Sequence, residues 1–249
     1  MIEWADDAIV LSARRHGESA AIVSLLTRAH GRHAGLVHGG AGRRARGIYE
    51  PGNRVTAAWR ARLSEHLGHF VCELAESRAA ALLEDAPRLA ALSSATALVD
   101  AALPEREPHA RLFDSLDHLV GQLCIGEPVS PWPPQYVRFE LDLLSDLGFG
   151  LDLSRCAATG RADDLAFVSP KTGRAVSAAA AEPYRDRLLP LPRFLTGPHA
   201  ASAEAVLMGL RLTGYFLDQH VFAHRPAQGA ERLPAARDRL VRLLQRPPA

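Results

Sequence analysis

Lysine is almost absent from this chain: Lys171 stands alone against 28 arginines. A coding bias toward GC-rich codons, which the many alanines share, accounts for the frequency of arginine, so only its placement is informative. Cysteine is scarce as well. Cys72, Cys124 and Cys156 are odd in number and far apart, which excludes a disulfide framework and suits a reducing cytosol. No stretch approaches the roughly 20 apolar residues that a membrane helix needs. The opening MIEWADDAIV lacks the basic region, apolar run and small-residue cleavage site of a signal peptide. Acidic residues are missing where they would matter most: between 20 and 63 only Glu50 carries a negative charge.

That gap defines the main feature. Residues 28–62 hold eight arginines (28, 32, 43, 44, 46, 54, 60, 62) against Glu50, a net of +7 in a chain whose total is +1. The near-neutral total hides a basic segment on a mildly acidic body. A soluble face normally mixes both signs, so the segment reads as a surface for polyanions, nucleic acid first. At 249 residues and 47% hydrophobic content the chain has room for a folded core in one or two domains.

Residues 1–77 have strand texture. Runs at 8–13, 20–27, 33–38, 54–63 and 67–74 are short and β-rich, and the fourth alternates strictly. Val55, Ala57, Trp59, Ala61 and Leu63 share one face, and Arg54, Thr56, Ala58, Arg60 and Arg62 the other. The glycine-rich run GGAGRRARG at 39–47 makes an irregular connection between the third and fourth strands. Five strands in this arrangement predict a small OB-like barrel, with an open sandwich as the other option. From 78 to 249 the texture is helical, with helices expected at 78–103 (broken at Pro87), 109–123, a stretch entered through Pro131–Pro134 and closed by Gly148, 200–224 and 233–245. The tail at 246–249 is expected to fray. The fold class is therefore α+β: an N-terminal five-stranded OB-like barrel (1–77) and a mainly helical domain (78–249).

Three motifs compete for the chemistry. Arg15-His16-Gly17-Glu18-Ser19 resembles the phosphoryl-accepting motif of histidine phosphatases. There the histidine takes the phosphoryl group and arginines hold its oxygens. Here an apolar run, Ala20-Ala21-Ile22-Val23, follows at once and reads as the return strand of a hairpin. The second motif is the basic loop. Arg43, Arg44, Arg46, Arg60 and Arg62 are the expected phosphate contacts, with Arg14, Arg32 and Arg54 in support. Aromatics are few in the segment, only Tyr49 and Trp59, so backbone contacts should dominate and binding should be sequence-tolerant and salt-dependent. A protein scaffold that meets an acidic partner is the alternative use of the same charge. The third motif is Cys156. A zinc knuckle asks for Cys-x-x-Cys and a second pair some 15–20 residues on. Thr159, Ser177 and Ala180 stand at those places, and no histidine lies between 152 and 198. The stretch 150–182 reads as a zinc-ribbon-like hairpin without zinc, and no cofactor is expected.

In this order the parts resemble a family. An arginine-rich OB-like start, a helix ending Leu143-Leu144-Ser145-Asp146-Leu147-Gly148-Phe149, then Cys156 and the Ser169-Pro170-Lys171-Thr172-Gly173-Arg174 hairpin are similar to the RecO family of bacterial recombination mediators. The likeness runs over nearly the whole chain. Many family members keep four cysteines in the knuckle, and only Cys156 matches here. The resemblance implies a non-enzymatic role in DNA repair and homologous recombination. It implies binding to single- and double-stranded DNA, annealing of complementary strands, and, with RecR, loading of RecA onto DNA coated by single-stranded DNA-binding protein. It further implies contact with that protein's acidic C-terminal tail through the helical domain. The candidate linings are Leu207, Arg211 and Tyr215, or Arg237, Arg239 and Arg242. It also implies a cytoplasmic, nucleoid-associated protein with no membrane contact.

Overall fold

The structure is a computed structural model that describes residues 1–125, 132–223 and 232–246, all but Arg44 with their side chains. Pro131, His224 and the tail at 247–249 lie outside the described residues. The chain divides into two compact units, Met1–Ser130 with Pro234–Leu240, and Pro131–Leu233 with Val241–Ala249. The change of texture at 77/78 thus falls inside the first unit.

The first unit is built on a closed barrel of strand order β1-β2-β3-β5-β4. Its strands are β1 (Ile2–His16), β2 (Ala20–Thr27), β3 (Gly31–Val37), β4 (Arg54–Ala61) and β5 (His69–Glu76). Alternation makes the barrel: Val55, Ala57, Trp59 and Ala61 of β4 point inward, while Thr56, Ala58 and Arg60 remain exposed. Leu63, expected on the inner face, lies beyond the strand and is 48% exposed. The interior is completed by Ala8, Val10, Ala21, Val23, Leu25, Val37, Tyr49 and Phe70. Burial of each larger side chain contributes on the order of 1.5–3 kcal/mol.

β1 is far longer than the expected run at 8–13. A bulge between Val10 and Ser12 bends it, so its first half pairs with β4 and its second half with β2. Ala8 and Val10 enter the barrel core, and Ile9 and Leu11 are equally buried on the outer side, where a helix packs. That helix is α2 (Ala86–Ala102). Pro87, expected to break a helix, sits in its first turn, where the missing N–H costs nothing, and Asp85 caps it by accepting from the Arg88 N–H. The Asp100 carboxylate of α2 accepts from the Ser12 and Ser24 hydroxyls at 2.8 and 2.6 Å. The glycine-rich connection is not irregular throughout: it contains a one-and-a-half-turn helix, α1 (Arg43–Ile48). Buried Asn53 holds its end, donating to the Gly47 and Ile48 carbonyls and accepting from the Arg78 and Ala79 N–H groups. α3 (Ala110–Cys124) buries Leu112, Leu116, Leu119 and Leu123, the expected stripe.

In the second unit α4 (Trp132–Asp146) buries Tyr136, Phe139, Leu143 and Leu144. A three-stranded sheet follows, β6 (Leu165–Val168) between β7 (Ala175–Ser177) and β8 (Leu189–Pro190), and with it a single helical turn, α5 (Ala178–Ala181). α6 (Ala203–Phe216) is capped by Ser202 and runs into a π-helical turn, Leu217–Val221. α7 (Ala235–Leu244), the last helix, is shared: residues up to Leu240 belong to the first unit and those from Val241 to the second.

Candidate nucleic-acid interface

The arginines of the basic segment meet two fates. Arg32 donates through Nε to the Leu103 carbonyl at 2.9 Å, and its guanidinium lies 3.5 Å from Asp100 and 3.5 Å from Glu105. Arg54 bridges Asp7 at 3.0 Å and Asp117 at 3.3 Å. Arg28 pairs with Asp114 at 2.7 Å and lies over the Phe113 ring. These three are committed to carboxylates of their own unit, so Arg32 and Arg54 do not present free charge as expected. The other fate is exposure. Arg14, Arg15, Arg43, Arg46, Arg60 and Arg62 are exposed, and among the described residues no carboxylate pairs with them. Arg44 lies in the same short helix as Arg43 and Arg46.

Two backbone contacts orient this exposed set. Arg15 donates to the Glu18 carbonyl at 2.8 Å, and Arg46 to the Ala41 carbonyl at 3.1 Å. Arg14, Arg15 and Arg46 line one cleft of about 200 Å³, floored by Ala13, Ala21, Gly40 and Ala41, with Glu50 the lone acid at its edge. Gly40 is required there, since a Cβ would stand 2.9 Å from that of Ala21. His16 ends β1 in a tight turn with Gly17 at φ +62°, the hairpin that the apolar run after it predicted.

Strand register extends the set across the barrel. Arg14 pairs with Ile22, Ile22 with Leu36, Leu36 with His69 and His69 with Arg60. In-register partners point to the same side, and none of the five is buried, so the row crosses the outer surface. Four inter-strand steps of about 4.8 Å separate Arg14 from Arg60 by roughly 19 Å along that surface. His38 stacks on His69 at 4.8 Å beside it. The loop at 62–68, which carries Arg62, is pinned by Gly68 at φ +64° beneath Trp59, whose Nε1 donates to the Leu67 carbonyl. Elsewhere on β1–β3 the outer face is occupied: Asp100 covers Ser12 and Ser24, and Glu105 bridges to Arg32. The β1–β4–β5 face differs in charge, with Glu3, Asp7 and Glu73 in register about an apolar strip of Ala5, Ala58 and Val71.

The barrel offers a nucleic acid charge but almost no rings. Trp59, Phe70 and Tyr49 are inside it, and Trp4, half-buried, stacks on His30 and Trp59. Burial and the neighbouring Cys72 push the Tyr49 hydroxyl up. His33 is enclosed among Trp4, Trp59 and Phe70 with neither ring nitrogen hydrogen-bonded. Burial, then the Arg106 charge, lowers its pKa to about 4.

On α6, Leu207, Arg211 and Tyr215 form one stripe at four-residue spacing; Arg211 and Tyr215 are exposed and Leu207 half-buried. Arg239 and Arg242 of α7 are not buried, but Arg237 is only 4% exposed and has partners of its own, which removes it from any surface groove. A better-formed groove of about 650 Å³ was missed, lined by Pro133, Pro134, Arg138, Phe194 and Val206 among others. Arg138 stands over the Phe194 ring at 5.4 Å and donates to its carbonyl at 3.0 Å. Its partner is 56 positions away in sequence, so no local pattern reveals the pair.

Three of the four knuckle positions, Cys156, Thr159 and Ser177, come together. Cys156 is buried, and its sulfur accepts from the Ser177 N–H at 3.3 Å and lies 3.5 Å from the Ser177 hydroxyl. Burial raises the thiol's pKa, but hydrogen bonds from Ser177 and Thr159 outweigh it and bring it to about 6. One thiolate and two hydroxyls do not fit structural zinc, and no group of three or more His, Cys, Asp or Glu able to hold a metal occurs among the described residues. No described helix is long and apolar enough to cross a membrane.

Two family models match the chain. "Recombination protein O N terminal" matches residues 1–78, and "Recombination protein O C terminal" matches 83–228. A protein of Rhodospirillum centenum named DNA repair protein RecO is 61% identical over 242 residues, covering 96% of this chain and 94% of its own. Proteins of the same name from Rhodospirillum rubrum (51% over 250 residues; 99% and 98% covered) and Cereibacter sphaeroides (50% over 246; 99% and 100%) are also similar.

Proposed function

The chain belongs to the RecO family of DNA repair proteins, and from that premise we propose that it binds single- and double-stranded DNA through its barrel and anneals complementary strands without covalent chemistry. The observation that carries this reading is the band of unpaired guanidinium groups from Arg14, Arg15, Arg43 and Arg46 to Arg60 and Arg62. Guanidinium forks match phosphate oxygens and keep their charge at any physiological pH. Annealing brings two polyanions together, and a band of unpaired cations lowers the repulsion between them. Family membership supports the rest: with RecR the protein assists loading of RecA onto DNA coated by single-stranded DNA-binding protein, in the cytoplasm on the nucleoid. The apolar groove with Arg138 at its side, or the Leu207–Arg211–Tyr215 stripe, suits the acidic tail of that coating protein.

Filter binding of mixed-sequence single-stranded DNA at two salt concentrations tests the reading. Affinity that falls steeply with salt supports it. Absence of binding, or affinity indifferent to salt, would refute it. A phosphohistidine trapped on His16 with a phosphoester would instead favour phosphoryl transfer, and capture of an acidic protein without DNA binding would favour a scaffold.

A further inference from the structure

The barrel presents charge and, apart from the His38–His69 pair and half-buried Trp4, keeps its rings inside, yet the second unit holds an aromatic ring in solvent. Phe216 is buried at 2% exposure. His220 stacks on it, with centroids 5.8 Å apart and planes 12° from parallel. Phe149 stacks on His220 in turn at 5.2 Å and 22°, and is 41% exposed. Three rings thus form a ladder that is rooted in the core and ends in an exposed ring, and among the described residues no further ring stacks on Phe149.

Local geometry holds both outer rings in place. α4 is closed off by Gly148, two residues past its end at φ +84°, whose N–H donates to the Ser145 carbonyl, while the Phe149 N–H donates back to the Leu144 carbonyl at 2.8 Å. Phe149 is therefore fixed at a helix C-terminus instead of on a free loop. His220 lies in the π-helical turn, a rare geometry often found at functional sites. A basic hairpin tip packs at the buried root of the ladder. The β6–β7 hairpin tip rests against this cluster, since a Cβ on Gly173 would lie 3.1 Å from Leu151 and 3.9 Å from the Phe216 ring. That tip carries exposed Lys171 and half-exposed Arg174. The neighbouring acids are engaged: Asp152 by Ser154 and Arg174, and Asp218 by Gln219 and Arg232.

An exposed ring at the end of a ladder whose buried root touches a basic hairpin tip suits a base with its phosphate. We propose that Phe149, supported by His220 and Phe216, is a stacking platform for the bases of single-stranded nucleic acid, with Lys171 of the hairpin tip meeting an adjoining phosphate. The proposal deepens the DNA-binding reading and rests on it. It supplies what the barrel lacks, a contact that distinguishes a strand with free bases from a duplex, whose bases are already stacked on each other.

The test uses the full chain and two fluorescent probes, an oligothymidylate and an abasic strand of equal length, and compares the wild type with Phe149→Ala, Phe149→Leu and Phe149→Trp. Removing one stacked base is expected to weaken oligothymidylate binding by about tenfold in Phe149→Ala and Phe149→Leu, with the salt slope unchanged. Phe149→Trp should restore it, and all four proteins should bind the abasic strand alike. Phe149→Leu keeps apolar bulk, so it separates a ring from a filler, and unchanged melting temperatures check folding. Wild-type affinity for oligothymidylate in both ring-deleted variants would overturn the platform while leaving the barrel reading intact. Equal weakening on both probes would also overturn it, because the effect would then not involve bases. Failure of the wild type to bind either strand would overturn both readings together.

Discussion

Arg32 and Arg54 face α2 and α3, each between two carboxylates, whereas Arg43, Arg46, Arg60 and Arg62, from the same segment 28–62, are exposed and among the described residues form no ion pair. The side chains are chemically identical, so the difference lies in what the rest of the chain brings opposite them. Asp100 and Asp117 turn one side of the barrel into an internal ion-pair seam that fastens helices to strands. The end at α1 and the loop 17–19 receives no such helix and keeps its charge available, while the loop 62–68 is held by Arg106, which donates to the His66 carbonyl. A basic segment is therefore not a single functional unit. It divides into a part that holds the fold and a part that can meet a polyanion, and the two should respond to different assays.

The sharpest way to break this contrast is reversal of the exposed end. Arg43→Glu, Arg44→Glu and Arg46→Glu together should weaken single-stranded DNA binding on the order of 10²–10³-fold at low salt, and lower the log–log salt slope by about 0.7–0.9 for each phosphate that is no longer neutralised. Thermal unfolding should be unchanged, because neither Arg43 nor Arg46 anchors another element. Affinity equal to wild type would show that α1 is only a solvated face.

Next in size is a response to acid on the closed side. His33 has a folded pKa of about 4, below the 6.5 of the unfolded chain, so the unfolded state takes up the proton first. Stability is then unaffected above about pH 6.5 and falls as pH drops through 6.5 toward 4, by about 3 kcal/mol in full. His33→Phe should flatten that part of a urea-unfolding profile against pH, and a profile as steep as that of wild type would exclude His33 as its source. The seam itself should cost less to disturb. Arg54→Ala leaves Asp7 and Asp117 short of a partner, and about 1–3 kcal/mol of stability should disappear. Its DNA salt slope should match wild type, and a lower slope would move Arg54 into the binding set.

The contrast also explains what could be read from the chain alone. Period-2 alternation located β4 and its inner residues, and the leucine spacing located α3, because those patterns are local. The length of β1 was hidden: the run Ala8–Leu11 is buried on both faces, one against the barrel and one under α2, so it does not alternate. α1 was hidden because six residues, half of them arginine, carry no apolar stripe. The knuckle was legible from spacing, and Cys156, Thr159 and Ser177 do meet. The fates of Arg32 and Arg54 were not, since Asp100 and Asp117 lie 68 and 63 positions away and only the fold brings them close. The ring ladder had no signal either, because Phe149 and His220 come from separate helices.

Arg60 tests where the two regions meet. In register it stands between Glu3 on β1 and His69 on β5, at the end of the outward row that begins at Arg14. Its neighbours on one side belong to the acidic β1–β4–β5 face and on the other to the basic band. If a strand runs the full row, Arg60→Ala should lower the salt slope by about 0.7–0.9 and weaken binding severalfold. If the strand leaves the barrel after β3, both quantities should equal the wild-type values while Arg14→Ala still lowers them. Measured side by side, these two substitutions give the length of the bound strand's footprint: weakening in both makes it roughly 19 Å of barrel surface, and weakening in Arg14→Ala alone confines it to the cleft beside α1.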